Sequence, residues 1–141
     1  MEPQVYNWTC SVCSFTWTLC ATGNAITREE ATNVIGRPEC VNPTYGLMSA
    51  DCLIRAYESE HYVAKQAWVT FEQAYSIAQH YTGCINPIGM YHFMAIRGVE
   101  GPTIWVANSA PGYMGIWDNI DVERFNALGP VQVIYLESRN T

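Results

Sequence analysis

The sequence predicts an α+β domain in which N-terminal helices pack on a small C-terminal antiparallel sheet, all within one domain spanning residues 1–141. Three observations carry this reading. Thr27-Arg-Glu-Glu30 and Thr70-Phe-Glu-Gln73 are capping boxes, in which a Thr side chain and an acid or amide three residues on satisfy each other's free backbone N–H groups. The stretch after Thr9 is apolar on two helical faces, as a buried helix is. From Met90 onward the pattern changes to β-rich runs separated by turn residues.

Taken in order, Thr9 can cap a helix that starts near Cys10, runs through SVCSFTWTLCAT and stops at Gly23-Asn24. Cys10, Cys13, Trp17 and Cys20 share one face of it; Val12, Phe15 and Leu19 lie on another. The domain's central helix is therefore expected here. The first capping box opens a short helix through Ile35. Gly36-Arg-Pro and Asn42-Pro-Thr-Tyr-Gly46 read as loops, and Leu47–Tyr57 as a further helix. The second capping box opens a helix to about Tyr81, and Gly83 and Asn86-Pro87-Ile-Gly89 interrupt the chain. Met90–Arg97, Thr103–Asn108, Tyr113–Trp117 and Val131–Leu136 are the expected strands, with a short Asp121-capped helix between the last two.

Composition narrows the function. Charged residues make up 14% of the chain and hydrophobic ones 49%, against about 25% charged in ordinary soluble domains. Much of the surface is therefore uncharged, and a protein partner or a homo-oligomer is expected to cover part of it. Trp8, Tyr113 and Trp117, with Tyr6 and Tyr91, are candidates for that interface. A net charge of −6 shows none of the basic bias of nucleic-acid binders. No apolar run approaches the roughly 20 residues of a membrane span. The first residues, MEPQVYNWTC, lack the basic and apolar segments of a signal peptide, which predicts a cytoplasmic protein at synthesis. Six cysteines in that compartment are expected to be reduced, with Cys20, Cys40, Cys52 and Cys84 filling space.

Cys10-x-x-Cys13 raises three chemistries. A zinc knuckle needs two more ligands at similar spacing, and no second C-x-x-C exists. A redox pair needs a preceding strand inside a βαβ unit, and too few residues precede Cys10. A nucleophile needs a base and a group to orient it. The start of a buried helix favours a thiolate, through its free N–H groups and dipole. Of the three histidines, His61 sits in the polar stretch YESEHY and His80 near a helix end. His92 opens a strand beside a Gly-containing loop, and Asn108 follows sixteen residues later at the end of the next strand. Adjacent antiparallel strands bring such positions together, so Asn108 can fix the imidazole tautomer. The bland readings are a core histidine, a turn asparagine, a space-filling cysteine and, for Gln4, a solvated terminal residue.

This ordered set of Cys, His and Asn resembles the papain-like cysteine peptidases. Gln4 stands six residues before Cys10, as that superfamily's oxyanion-hole glutamine does. Gly23 stands thirteen after Cys10, as in the bacteriocin-leader (double-glycine) peptidases. The resemblance implies a papain-like fold and a cysteine peptidase. Cys10 would be nucleophile, His92 base, Asn108 orienting group and Gln4 oxyanion donor, with no cofactor and no metal. The chain departs from the leader peptidases at Ser11, where Gly is usual, and at Asn108-Ser109, where Asp-Pro is usual. CSVCSF also resembles papain's own Cys-x-x-Cys run, on which Cys13 would be the alternative nucleophile. The implied substrate is a peptide or a peptidoglycan peptide. By analogy the chain could be a phage-encoded cell-wall peptidase or virion tail component. The rival is a catalytically silent papain-like scaffold that binds or builds within an assembly.

Overall fold

The computed structural model describes Phe15, residues 18–20, 22–23, 26–35, 50–87, 93–107 and 117–139. In chain order the elements are α1 (Arg28–Ile35), α2 (Ala50–Ser59), β1 (Tyr62–Val69), α3 (Phe71–His80), β2 (Gly83–Pro87), β3 (Met94–Glu100), β4 (Thr103–Ala107), β5 (Trp117–Ile120), α4 (Val122–Ala127) and β6 (Val131–Arg139). Before α1, Phe15 and Thr18–Cys20 are helical.

The strands form one six-stranded sheet of order β1-β6-β2-β3-β4-β5, with every neighbouring pair antiparallel. Side chains alternate across a strand, so the sheet has two different faces. On one, Cys84, Phe93, Ile134 and Leu136 pack with Phe15 and Leu19 of the N-terminal helical segment, Ala31 of α1, and Leu53, Ala56 and Tyr57 of α2. On the other, Ile85, Met94, Ile96, Ile104, Val106, Ile120, Val131 and Val133 pack with Ala74 and Ala78 of α3 and Phe125 of α4. Helices therefore cover both faces.

The local signals explain most elements. Both capping boxes form: Glu30 N–H donates to Thr27 Oγ1 (3.1 Å) while Thr27 N–H donates to Glu30 Oε1 (3.3 Å). Thr70 and Gln73 do the same at the start of α3. Asp121 caps α4 by accepting from Arg124 N–H at 2.8 Å. The N-terminal helical segment ends where expected, at Gly23 with φ +84°, a conformation glycine adopts without steric cost. His61 is an exposed turn residue and His80 closes α3.

Four expectations need correction. The sheet starts earlier than the expected Met90, with β1 and β2 as two further strands. β1 is a half-buried edge strand whose Lys65 and Gln66 break the apolar alternation. β2, with sequence GCINP, is buried at all five positions, so Gly, Asn and Pro there act as packing residues rather than breakers. At Gly83 a Cβ would collide with the Ile134 carbonyl oxygen, so only glycine admits β6 this closely. α2 continues to Ser59, past the predicted end at Tyr57, and β5 to Ile120, past the predicted end at Trp117; the predicted helix start at Leu47 lies outside the described residues. Cys20 is exposed rather than a buried space-filler, while Phe15, Thr18 and Leu19 of the same segment are buried. Finally, Cys52 is disulfide-bonded rather than a reduced space-filler, with its partner outside the described residues. Cys40 also lies outside them.

Candidate active site

Gln4, Cys10, Cys13, His92 and Asn108 all lie outside the described residues, as do Tyr6, Trp8, Tyr91 and Tyr113. The structure describes the frame that flanks them. Phe93, which follows His92 in the chain, is buried and leads into β3; β4 closes at Ala107, the residue before Asn108. Ala95 pairs with Ala107, so β3 opens and β4 closes at one end of the sheet. β2 ends and β6 begins at that same end, with Pro87 opposite Val131.

The N-terminal helical segment is fastened to this frame by polar contacts. At its C-terminal turn, Thr22 Oγ1 lies 2.6 Å from Tyr62 Oη, at the opposite end of the sheet, where Tyr62 pairs with Arg139. One turn earlier, Thr18 Oγ1 donates to the Gly83 carbonyl at 3.2 Å and lies 3.6 Å from Cys84 Sγ. Tyr57 Oη lies 3.1 Å from the same sulfur. Phe15, a further turn toward the N-terminus, stacks on Tyr57 with ring centroids 4.9 Å apart. Followed toward its N-terminus, this segment thus runs from the Tyr62 end toward the end where β3 opens. Burial, and next the Cys84 thiol, push the Tyr57 hydroxyl well above its ordinary range, so it stays neutral and serves as a fixed dipole.

That face also carries the buried polar side chains of the described residues: Thr18, Asn86 and Gln132. Register aligns Trp68 of β1 with Gln132 of β6, and Gln132 with Asn86 of β2. Gln132 Nε2 donates to Gln66 Oε1 at 2.9 Å. Among the described residues, Asn86 Oδ1 is the one buried side-chain oxygen or nitrogen without a hydrogen-bond partner. The sequence alone does not mark the amide row, since one Gln and one Asn in separate strands form no pattern until register aligns them.

Among the described residues no group of three His, Cys, Asp or Glu side chains could hold a metal ion. None of the described helices is long and apolar enough to cross a membrane.

The architecture matches solved peptidase domains. A double-glycine-motif protease from an AMS/PCAT transporter, solved in complex with the leader peptide, superposes with a TM-score of 0.71 at 17% identity, over 96% of this chain and 90% of that one. The peptidase domain of Streptococcus ComA, a bifunctional ABC transporter of a quorum-sensing pathway, gives 0.72 at 10% identity, over 99% and 97%. At these identities the likeness establishes the fold: helices on an antiparallel sheet, arranged as in these peptidase domains. No family profile matches the sequence, and no curated protein matches it.

Proposed function

We propose that the chain is a cysteine peptidase that cleaves a peptide after a small-residue pair, as the double-glycine-motif designation of one structural neighbour suggests. The observation that carries this reading is the shared architecture over nearly the whole length of both neighbours, one of them solved with a leader peptide. The described frame supports it. The helical segment that follows Cys10 is directed toward the sheet end at which β3 follows His92 and β4 precedes Asn108.

In this reading the Cys10 thiol gives its proton to His92, and the thiolate attacks the scissile carbonyl. The Gln4 amide and the Cys10 backbone N–H hold the developing oxyanion. As the C–N bond breaks, His92 protonates the leaving amine and a thioester remains. Water, deprotonated by His92, hydrolyses the thioester and frees the thiol. Asn108 keeps the imidazole in the tautomer that accepts the proton. Neither neighbour lends support to a peptidoglycan substrate, a phage origin or a virion role.

The test is hydrolysis of a fluorogenic peptide with a Gly-Gly pair before the scissile bond. Wild type should turn it over; Cys10→Ala and His92→Ala should lose at least about a thousandfold in kcat/KM with the fold intact, as expected when a member of a nucleophile–base unit is removed. Cleavage that survives Cys10→Ala but not Cys13→Ala would transfer the nucleophile to Cys13.

A further inference from the structure

We infer that Asn86 is a substrate-binding residue, whose unpaired amide oxygen accepts a main-chain N–H of an extended peptide lying along the Trp68–Gln132–Asn86 row. This rests on the peptidase reading above and adds to it a recognition site on three strands.

Asn86 keeps only 5% of its surface exposed, and its Oδ1 is buried with no partner. Such an oxygen has lost its water without gaining a bond, so a native protein rarely retains one. An apolar residue would fill the site more stably. On the same strand face, Cys84 shows what a satisfied neighbour looks like, engaged by Tyr57 and Thr18. Asn86 lies one pleat nearer the end where β3 opens, and no such partners meet it.

The row extends from there. Gln132, 8% exposed, pairs with Asn86 in register, and Trp68 pairs with Gln132. Neighbouring strands lie about 4.8 Å apart, so the row spans roughly 10 Å, the length of about three extended residues. β1 is an edge strand, and Trp68 on it is 58% exposed. Side-chain amides carry the same donor and acceptor set as a peptide bond, so Asn and Gln suit recognition of main chain rather than of one side chain. An exposed Trp at the row's outer end provides an apolar anchor of the kind that dominates peptide interfaces. The Asn amide turns about a broad, two-fold torsion, so its oxygen can be presented to an incoming N–H without moving the strand.

The experiment measures binding and stability separately from cleavage. In the full-length Cys10→Ala chain, the Gly-Gly peptide carrying a fluorophore is titrated by anisotropy, with and without Asn86→Val. Asn86→Val should weaken Kd about tenfold, the worth of one hydrogen bond, while Tm rises or holds. Asn86→Thr, which keeps an acceptor, should recover part of the affinity. In the active chain Asn86→Val should raise KM and leave the pH–rate profile in place. A fall in Tm with unchanged Kd would make Asn86 structural and overturn the inference. A displaced pH profile with unchanged Kd would make it a positioning residue for His92 and overturn it equally. If wild type fails to cleave but Asn86→Val still weakens binding, the peptidase reading fails and the binding row stands.

Discussion

The two faces of the sheet are built from different material. The α3 side is an apolar core of Ile, Val, Met, Ala and Phe, with no buried polar side chain among the described residues that form it. The side facing the N-terminal helices holds Thr18, Cys84 and Tyr57 in one buried polar cluster, and Asn86 and Gln132 beyond them. Buried polar groups cost stability unless satisfied. A chain that confines them to one face separates an apolar scaffold from a polar surface, and Asn86 and Gln132 carry that polar surface to the sheet end where β3 opens and β4 closes.

This contrast can be broken by substitution. Ile104→Ala on the apolar face removes a fully buried side chain and should cost about 2–5 kcal/mol of stability. Any activity lost should track the unfolded fraction seen in urea melts. A selective loss of kcat at full folding would give the scaffold face a part in catalysis.

Thr18→Val on the polar face is nearly isosteric and removes the donor to Gly83 O. It should cost only about 1–2 kcal/mol. Yet because Thr18 fastens the helix that follows Cys10, the substitution should shift the pH dependence of Cys10 alkylation. Tyr57→Phe beside it tests the same cluster by pH. The folded state holds the Tyr57 proton more tightly than the unfolded chain does, because the hydroxyl is buried and next to Cys84. Its contribution is complete below the unfolded pKa of about 10 and is lost as pH rises from there toward the folded value. Wild type should therefore lose stability above about pH 10 more steeply than Tyr57→Phe, in melts recorded across that range. Parallel alkaline limbs would show that the hydroxyl is not sealed in the cluster.

How much of this was legible beforehand follows the same division. Capping boxes at Thr27 and Thr70, the Asp121 cap and the stop at Gly23 are local signals, and each appears in the fold. β2 was not legible because burial on both faces erases alternation, and GCINP reads as a turn until β6 and β3 flank it. β1 was not legible because an edge strand tolerates Lys65 and Gln66 where alternation wants apolar residues. The disulfide at Cys52 depends on which cysteines the fold brings together, which spacing does not reveal. Asn86 became a candidate only through register, since its pairing with Gln132 joins residues far apart in the chain. The residues that carry the resemblance, Gln4, Cys10, His92 and Asn108, remain a proposal from the sequence and the frame around them.

In the proposed mechanism Cys10 is a thiolate poised by His92. The most direct measurement is the rate of iodoacetamide alkylation at each cysteine between pH 5 and 9, mapped by peptide mass spectrometry, in wild type and His92→Ala. Cys10 should react first near neutral pH, with an apparent pKa below the ordinary thiol value of about 8.5, and His92→Ala should return it to that range without lowering Tm by more than a few degrees. Slow, equal labelling of all free cysteines, unchanged by His92→Ala, would contradict it.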